Sequence, residues 1–294
     1  MPRCAANGIE IEYETFGSPN DPALLLVMGF TAQMTLWDEG FCRILADGGR
    51  YVIRFDNRDV GLSTKLDGVE VDIGSAITSL MTGDPPPPVP YTLTDMANDA
   101  FGVLDALGIE RAHIVGASMG GMIVQTMAID HPERILTMTS IMSTTGERDF
   151  GEPSPEAMEA LLTPPPTDRA EYIENSVLVS KIISSPRYRD EAKVRTRAAA
   201  AFDRCFYPEG AGRQLAGIVA SGDRAEALPQ LHVPTLVIHG RADPLIQLSG
   251  GERTAELVPG ANLLVFKDMG HDLPEPLWPL ITDAILSHTA HAIG

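Results

Sequence analysis

Short apolar runs alternate with stretches of helical spacing along most of the chain, and that rhythm predicts an α/β architecture. At the start, Ile9, Ile11 and Tyr13 fall on one face of a strand that follows the turn dipeptide Asn7-Gly8, so the chain is expected to open with a hairpin. Continuous apolar runs at 24–29, 51–56, 112–116, 135–142, 234–240 and 263–266 read as strands, that at 234–240 as a buried one. Helices are expected between them. One lies between Asp38 and Ala46; another runs from Thr94, its expected N-cap, to Leu107 with Met96, Phe101 and Leu104 on its apolar face. A third begins at Met119 and carries Met122, Ile123, Val124, Met127 and Ala128, and a last one lies near Leu286. Crossover helices imply a mostly parallel eight-stranded sheet flanked by helices, and such sheets bind ligands at the carboxyl ends of their strands.

The rhythm breaks between Ser143 and Leu228. No convincing strand occurs there, and helical segments are punctuated by Pro153, Pro155, Pro164-Pro165-Pro166, Pro186 and Pro208. This predicts a core of residues 1–142 and 229–294, with 143–228 inserted after the sixth strand as a helical cap. An insertion at that point must lie over the carboxyl ends of the strands, where its apolar side chains would shape a pocket. Met158, Leu161, Leu162, Ile182, Phe202 and Phe206 are the candidates, and for each of them packing between cap helices competes with contact to a ligand. The proline-rich stretch from Asp84 to Pro90 reads as a stiff extended linker.

Charge narrows the range of partners. Forty acidic against 22 basic residues give a net charge of −18, which repels phosphate backbones and anionic lipid surfaces, so no nucleic-acid partner is expected. No apolar run approaches the length of a membrane span, and the first eight residues have no apolar segment of the kind that directs secretion. Cys4, Cys42 and Cys205 are scattered without metal spacing, which suits reduced thiols in the cytoplasm. Neither a metal nor a cofactor is expected.

The chemistry concentrates at Gly116-Ala117-Ser118-Met119-Gly120, where a serine stands between two glycines after an apolar strand and before a helix. A sharp strand-to-helix turn leaves little room two places either side of the serine, hence the glycines. Ser118 would be exposed at the tip as a nucleophile, with the N–H of Met119 aimed at an oxygen that becomes negative. A serine here could equally be a helix N-cap and nothing more. Context favours chemistry: Asp243 follows the strand ending at Gly240, and His271 follows the strand ending at Phe266. The order is serine, acid, histidine, each in a loop after a strand. Asp268 and Asp272 flank the histidine, but Asp243 is better placed to reach its far ring nitrogen. His113, His131, His232, His288 and His291 read as structural or solvated, and His239 as a supporting neighbour of Asp243.

On these residues the chain resembles the α/β-hydrolase-fold serine esterases over nearly its whole length, especially the bacterial carboxylesterase and lipase-like group that includes the aclacinomycin-type methylesterases. Further matching stretches are Leu24 to Phe30, Arg54 to Ser63, and His239 to Asp243. The resemblance implies ester hydrolysis through an acyl-enzyme on a small-molecule ester, with Ser118, Asp243 and His271 catalytic and the N–H groups of Phe30 and Met119 binding the oxyanion. It also implies that an acid and an arginine in the 54–63 stretch lock a loop beside the site. The chain departs from the family at Met28-Gly29, where many relatives have His-Gly, so another group must fix the oxyanion loop. Acyl transfer, perhydrolysis and cyanohydrin cleavage use the same triad, and a non-catalytic receptor uses the same fold. Dehalogenation would need a carboxylate in place of Ser118.

Overall fold

The structure, a computed structural model, describes residues 2–290, so His291 lies outside the described residues. The opening hairpin pairs β1 (Arg3–Ala6) with β2 (Ile9–Phe16) antiparallel, through Asn7 at φ 48° and Gly8 at φ 79°. Two consecutive left-handed residues give the turn whose twist matches that of the flanking strands, which is why Asn-Gly stands there. The remaining strands are β3 (Ala23–Val27), β4 (Tyr51–Phe55), β5 (Ala112–Ala117), β6 (Ile135–Ile141), β7 (Thr235–Gly240) and β8 (Asn262–Phe266). They form one eight-stranded sheet in the order β1-β2-β4-β3-β5-β6-β7-β8. The pairs β1–β2 and β2–β4 are antiparallel, and all others are parallel.

Both faces of the sheet are covered. Along β3, Leu25 and Val27 point into an apolar cluster with Met96, Phe101 and Leu104 of α3 (Leu93–Ala106) and Ile123 and Met127 of α4 (Met119–Asp130). Leu24 and Leu26 point the other way, into a cluster with Phe41 and Leu45 of α1 (Glu39–Asp47) and Ile281 and Ile285 of α10 (Trp278–Ala290). Alternate residues of β3 thus serve two cores, which explains why it reads as an unbroken apolar run, whereas the edge strand β8 is only partly covered.

Two features differ from expectation. The helix expected to be capped by Thr94 is capped by Thr92: the carboxylate of Asp95 accepts from the Thr92 N–H (2.8 Å) and hydroxyl (3.0 Å), a capping box placed two residues earlier. An unexpected helix, α2 (Ile73–Thr82), precedes the proline stretch. Its glycine, serine and threonine content is poor for a helix, and tertiary packing supplies what propensity lacks. Asp72 caps it by accepting from Ser75 N–H, and Ile73 lies so close to Gly212 that a methyl group there would meet it at 2.5 Å.

Between β6 and β7 lie α5 (Pro155–Leu162), α6 (Arg169–Ile183), α7 (Glu191–Arg204) and α8 (Glu209–Ala220). The pairs Arg169–Asp203, Arg195–Glu174 and Lys181–Glu191 run α6 and α7 antiparallel. After β7 comes α9 (Leu248–Leu257). Among the described residues no helix is long and apolar enough to cross a membrane.

Candidate active site

The turn from β5 into α4 is tight. Ser118 sits at φ 56°, ψ −121°, a backbone conformation that costs a non-glycine residue about 1–3 kcal/mol and persists only where its surroundings impose it. The surroundings are close. A methyl group on Gly116 would lie 2.0 Å from the carbonyl oxygen of Gly120, and one on Gly120 would lie 2.1 Å from that of Val27. Hydrogen bonds fix the serine backbone from three sides: its N–H donates to Ile141 C=O (2.9 Å), while its C=O accepts from Gly121 N–H and from the Ser143 hydroxyl, both at 2.8 Å.

The predicted partners arrive from two other loops. His271 Nε2 is 3.0 Å from Ser118 Oγ, and His271 Nδ1 is 2.8 Å from Asp243 Oδ2. The second Asp243 oxygen accepts from the backbone N–H groups of Leu245 and Ile246, each at 2.9 Å. That carboxylate is buried and fully hydrogen-bonded, so it orients an Nδ1–H and leaves Nε2 to accept from the serine. The arrangement can pass a proton from Ser118 to His271 and stabilise the imidazolium that results. The flanking acids are engaged elsewhere. Asp268 pairs with Arg187 (2.9 Å), and Asp272 accepts from the N–H and hydroxyl of Ser185, with burial raising its pKa.

Of the other histidines, His239 is buried beside Asp243, 3.8 Å from its carboxylate, and donates from Nε2 to Ile246 C=O at 2.8 Å. It therefore braces the loop that also grips Asp243, while burial holds its pKa down and keeps it neutral. His113 meets Thr137 inside the sheet, His131 meets Glu133 at the surface, His232 is exposed, and His288 reaches Pro234 C=O.

The oxyanion candidates flank the serine. Met119 is the first residue of α4, so its N–H has no partner within the helix. The loop carrying Phe30 presses on the elbow: a methyl group on Gly29 would lie 3.0 Å from Ser118 Cβ. At Met28, where the resemblance led to the expectation of another anchor, Asn57 Nδ2 donates to the C=O at 2.8 Å. The acid and arginine expected to lock the neighbouring turn do so through separate partners. Asp56 accepts from Met34 N–H and Leu62 N–H and pairs with Arg204, whereas Arg58 makes a bidentate pair with Asp99 at 2.6 Å for each contact.

The family profile described as "alpha/beta hydrolase fold" matches residues 22–275. The chain belongs to that family. A relative of similar length, rhodomycin D methylesterase DauP of a Streptomyces species, is 30% identical over 95% of this chain and 94% of its own. The bifunctional esterase/perhydrolase DCH of Acinetobacter calcoaceticus is 26% identical over 91% of each. Among solved structures, a meta-cleavage product hydrolase of Pseudomonas fluorescens superposes with a TM-score of 0.78 at 21% identity, covering 99% of this chain and 98% of that one. This α/β hydrolase is thus an enzyme, and a hydrolase.

Several contacts around the α/β-hydrolase site have no signal in the sequence. Ser143 holds the Ser118 carbonyl across 25 positions. Ile183 C=O accepts from His271 N–H at 2.7 Å, and the Ser185 hydroxyl accepts from Gly270 N–H at 2.9 Å, so the end of α6 carries the histidine loop. Gln214 of α8 contacts the Phe30 loop in the same manner. Residues this far apart in the chain carry no spacing pattern, and only packing brings them together. Of the apolar candidates in the inserted helices, Phe202 and Phe206 stack on each other at 4.6 Å and against Tyr172 at 5.3 and 5.5 Å. Two surface hollows, of about 710 and 440 Å³, lie away from Ser118 and include none of the six.

Proposed function

We propose that this α/β hydrolase cleaves carboxylic esters through an acyl-enzyme on Ser118. The observation that carries the proposal is the unbroken chain from Ser118 Oγ to His271 to Asp243, set on a strained elbow at the carboxyl ends of the strands. His271 takes the serine proton as Oγ attacks the ester carbonyl, and Asp243 holds the imidazole and stabilises its charged form. The N–H groups of Met119 and Phe30 receive the oxyanion. His271 then protonates the departing alcohol, and water repeats the attack to release the acid. No cofactor takes part in these steps.

Residues 143–228 act as a cap that sheds water from the acyl-enzyme. The full-length similarity to a rhodomycin D methylesterase supports a methyl ester as the substrate class. An overall charge of −18 argues against strongly anionic esters. The enzyme works in the cytoplasm, a location supported by three free cysteines, Cys4, Cys42 and Cys205.

The test is a panel of p-nitrophenyl esters of graded chain length and methyl esters of bulky acids, run beside organophosphate labelling read by intact mass. Turnover with stoichiometric labelling of Ser118 is expected. Labelling with no turnover of any ester would point to a ligand receptor. Aldehyde release from cyanohydrins would point to a lyase, and peracid formation to a perhydrolase, as the relative from Acinetobacter calcoaceticus suggests.

A further inference from the structure

Resting on that reading of the site, we infer that Gln214, in the inserted helix α8, is a positioning residue for the oxyanion hole. Its side chain is fully buried and both ends are used: Oε1 accepts from Thr31 N–H at 2.8 Å, and Nε2 donates to Arg58 C=O at 3.0 Å. Thr31 follows Phe30 directly and sits at φ 57°, a left-handed conformation that is an outlier for a β-branched residue. Such a residue needs an external hold. Gln214 supplies it from a position 183 residues away.

Three successive peptide planes of this loop are fixed by different groups. Asn57 donates to Met28 C=O and so anchors the Met28–Gly29 plane. Gly29 C=O accepts from Ala32 N–H at 3.3 Å, and because the peptide is planar and trans the Phe30 N–H of the same unit points the opposite way. Gln214 then holds the Phe30–Thr31 plane through Thr31 N–H. Among the described residues no protein group accepts from Phe30 N–H. The amide left over is the one the oxyanion requires, and its direction depends on the planes held either side of it. A neighbouring strut acts in the same sense: Gln33 donates to Ala201 C=O and Cys205 C=O, both at 2.8 Å, so the loop is strapped to α7 as well. The inserted helices therefore set the geometry of the oxyanion loop in addition to covering it.

The experiment replaces Gln214 by Met, which has similar length and no polar groups, and by Asn, which is one methylene short. Two inhibitors are compared on each enzyme. A trifluoromethyl ketone adds Ser118 to form a hemiketal oxyanion, whereas the matching methyl ketone binds as a ground-state carbonyl. Removing an oxyanion donor costs about 10²–10³-fold in rate, so loosening one is expected to cost roughly tenfold to a hundredfold in kcat and in trifluoromethyl ketone affinity. KM and methyl ketone affinity should stay within about threefold, since they report ground-state binding.

Equal losses for both ketones, or none for either, would overturn the role of Gln214 while wild-type ester turnover left the reading of the site intact. If neither variant folds, Gln214 is a structural residue and the inference fails. A wild-type enzyme that turned over no ester and bound both ketones alike would remove the site and the inference together.

Discussion

Ser118 and its two partners lie on three separate loops, yet their side chains meet within 3.0 Å. Ser118 is half-buried at a turn held by backbone contacts, so replacing it with alanine should leave thermal unfolding nearly unchanged while kcat falls by about 10⁴-fold or more. Loss of less than about tenfold, measured on the best ester, would overturn the role of Ser118 as nucleophile. The three nearby acids separate in the same assay. Asp243→Asn should cost up to about 10⁴-fold, because the amide offers a donor or a weak acceptor where the imidazole N–H needs a carboxylate. Asp268→Asn and Asp272→Asn should each cost less than about tenfold, since Asp268 is spent on Arg187 and Asp272 on Ser185. Comparable effects from all three would dissolve the proposed triad.

At the scale of the element, helix boundaries and strand ends followed local chemistry closely. Asn7-Gly8 makes the hairpin turn, and Asp38 caps α1 by accepting from Gly40 N–H at 2.9 Å. Where local chemistry is ambiguous, the surrounding structure sets the boundary. Thr92 and Thr94 are both acceptable caps, and only Asp95, three residues after Thr92, closes the reciprocal box. Helix α2 carries little signal in the sequence because its composition gives little helical preference and α8 provides the surface that stabilises it. The aromatic residues of α6 and α7 illustrate the same limit. Phe202 and Phe206 carry equal apolar signals for pocket and for packing, and their stack with Tyr172 favours packing. Phe206→Ala should therefore lower stability by about 2 kcal/mol, less than a full core truncation, with the chain-length profile of ester turnover unmoved. A shift of that profile towards bulkier acyl groups, with stability kept, would assign Phe206 to the pocket.

Across the whole molecule, acids on the sheet side meet arginines from the inserted helices: Asp59 with Arg213 at 2.9 Å, Asp56 with Arg204 at 2.8 Å, and Asp38 with Arg197 at 2.8 Å. The acids of the first two pairs are buried, and buried charge must be paired, because an unpaired partner costs several kcal/mol. His113 presents the opposite case, a buried titratable group without a counter-charge. It lies within β5 against Thr137, and burial lowers its pKa from 6.5 to about 4. The unfolded chain binds a proton on this imidazole near the ordinary pKa, whereas the folded chain resists until about pH 4. Stability should thus fall as pH drops through that window and level off below it, by about 3 kcal/mol in all. Urea unfolding of His113→Asn across the same range should lose that component of the slope; parallel profiles for variant and wild type would show that other groups carry it.

The chain by itself determined the alternation of strands and helices, α2 excepted, the elbow at Ser118 and the chain order of serine, acid and histidine. Those features are local: turn residues, periodicity and the glycines of a sharp turn are written within a few positions of one another. The folded structure decided which acid faces His271, what holds the loop at Met28-Gly29, and how Gln214, Ile183 and Ser185 support loops they never approach in the sequence. Each of those contacts spans tens of residues or more. They are selected by packing, where a buried polar group must find a partner of complementary shape and hydrogen-bonding capacity, and no spacing along the chain encodes which partner that is.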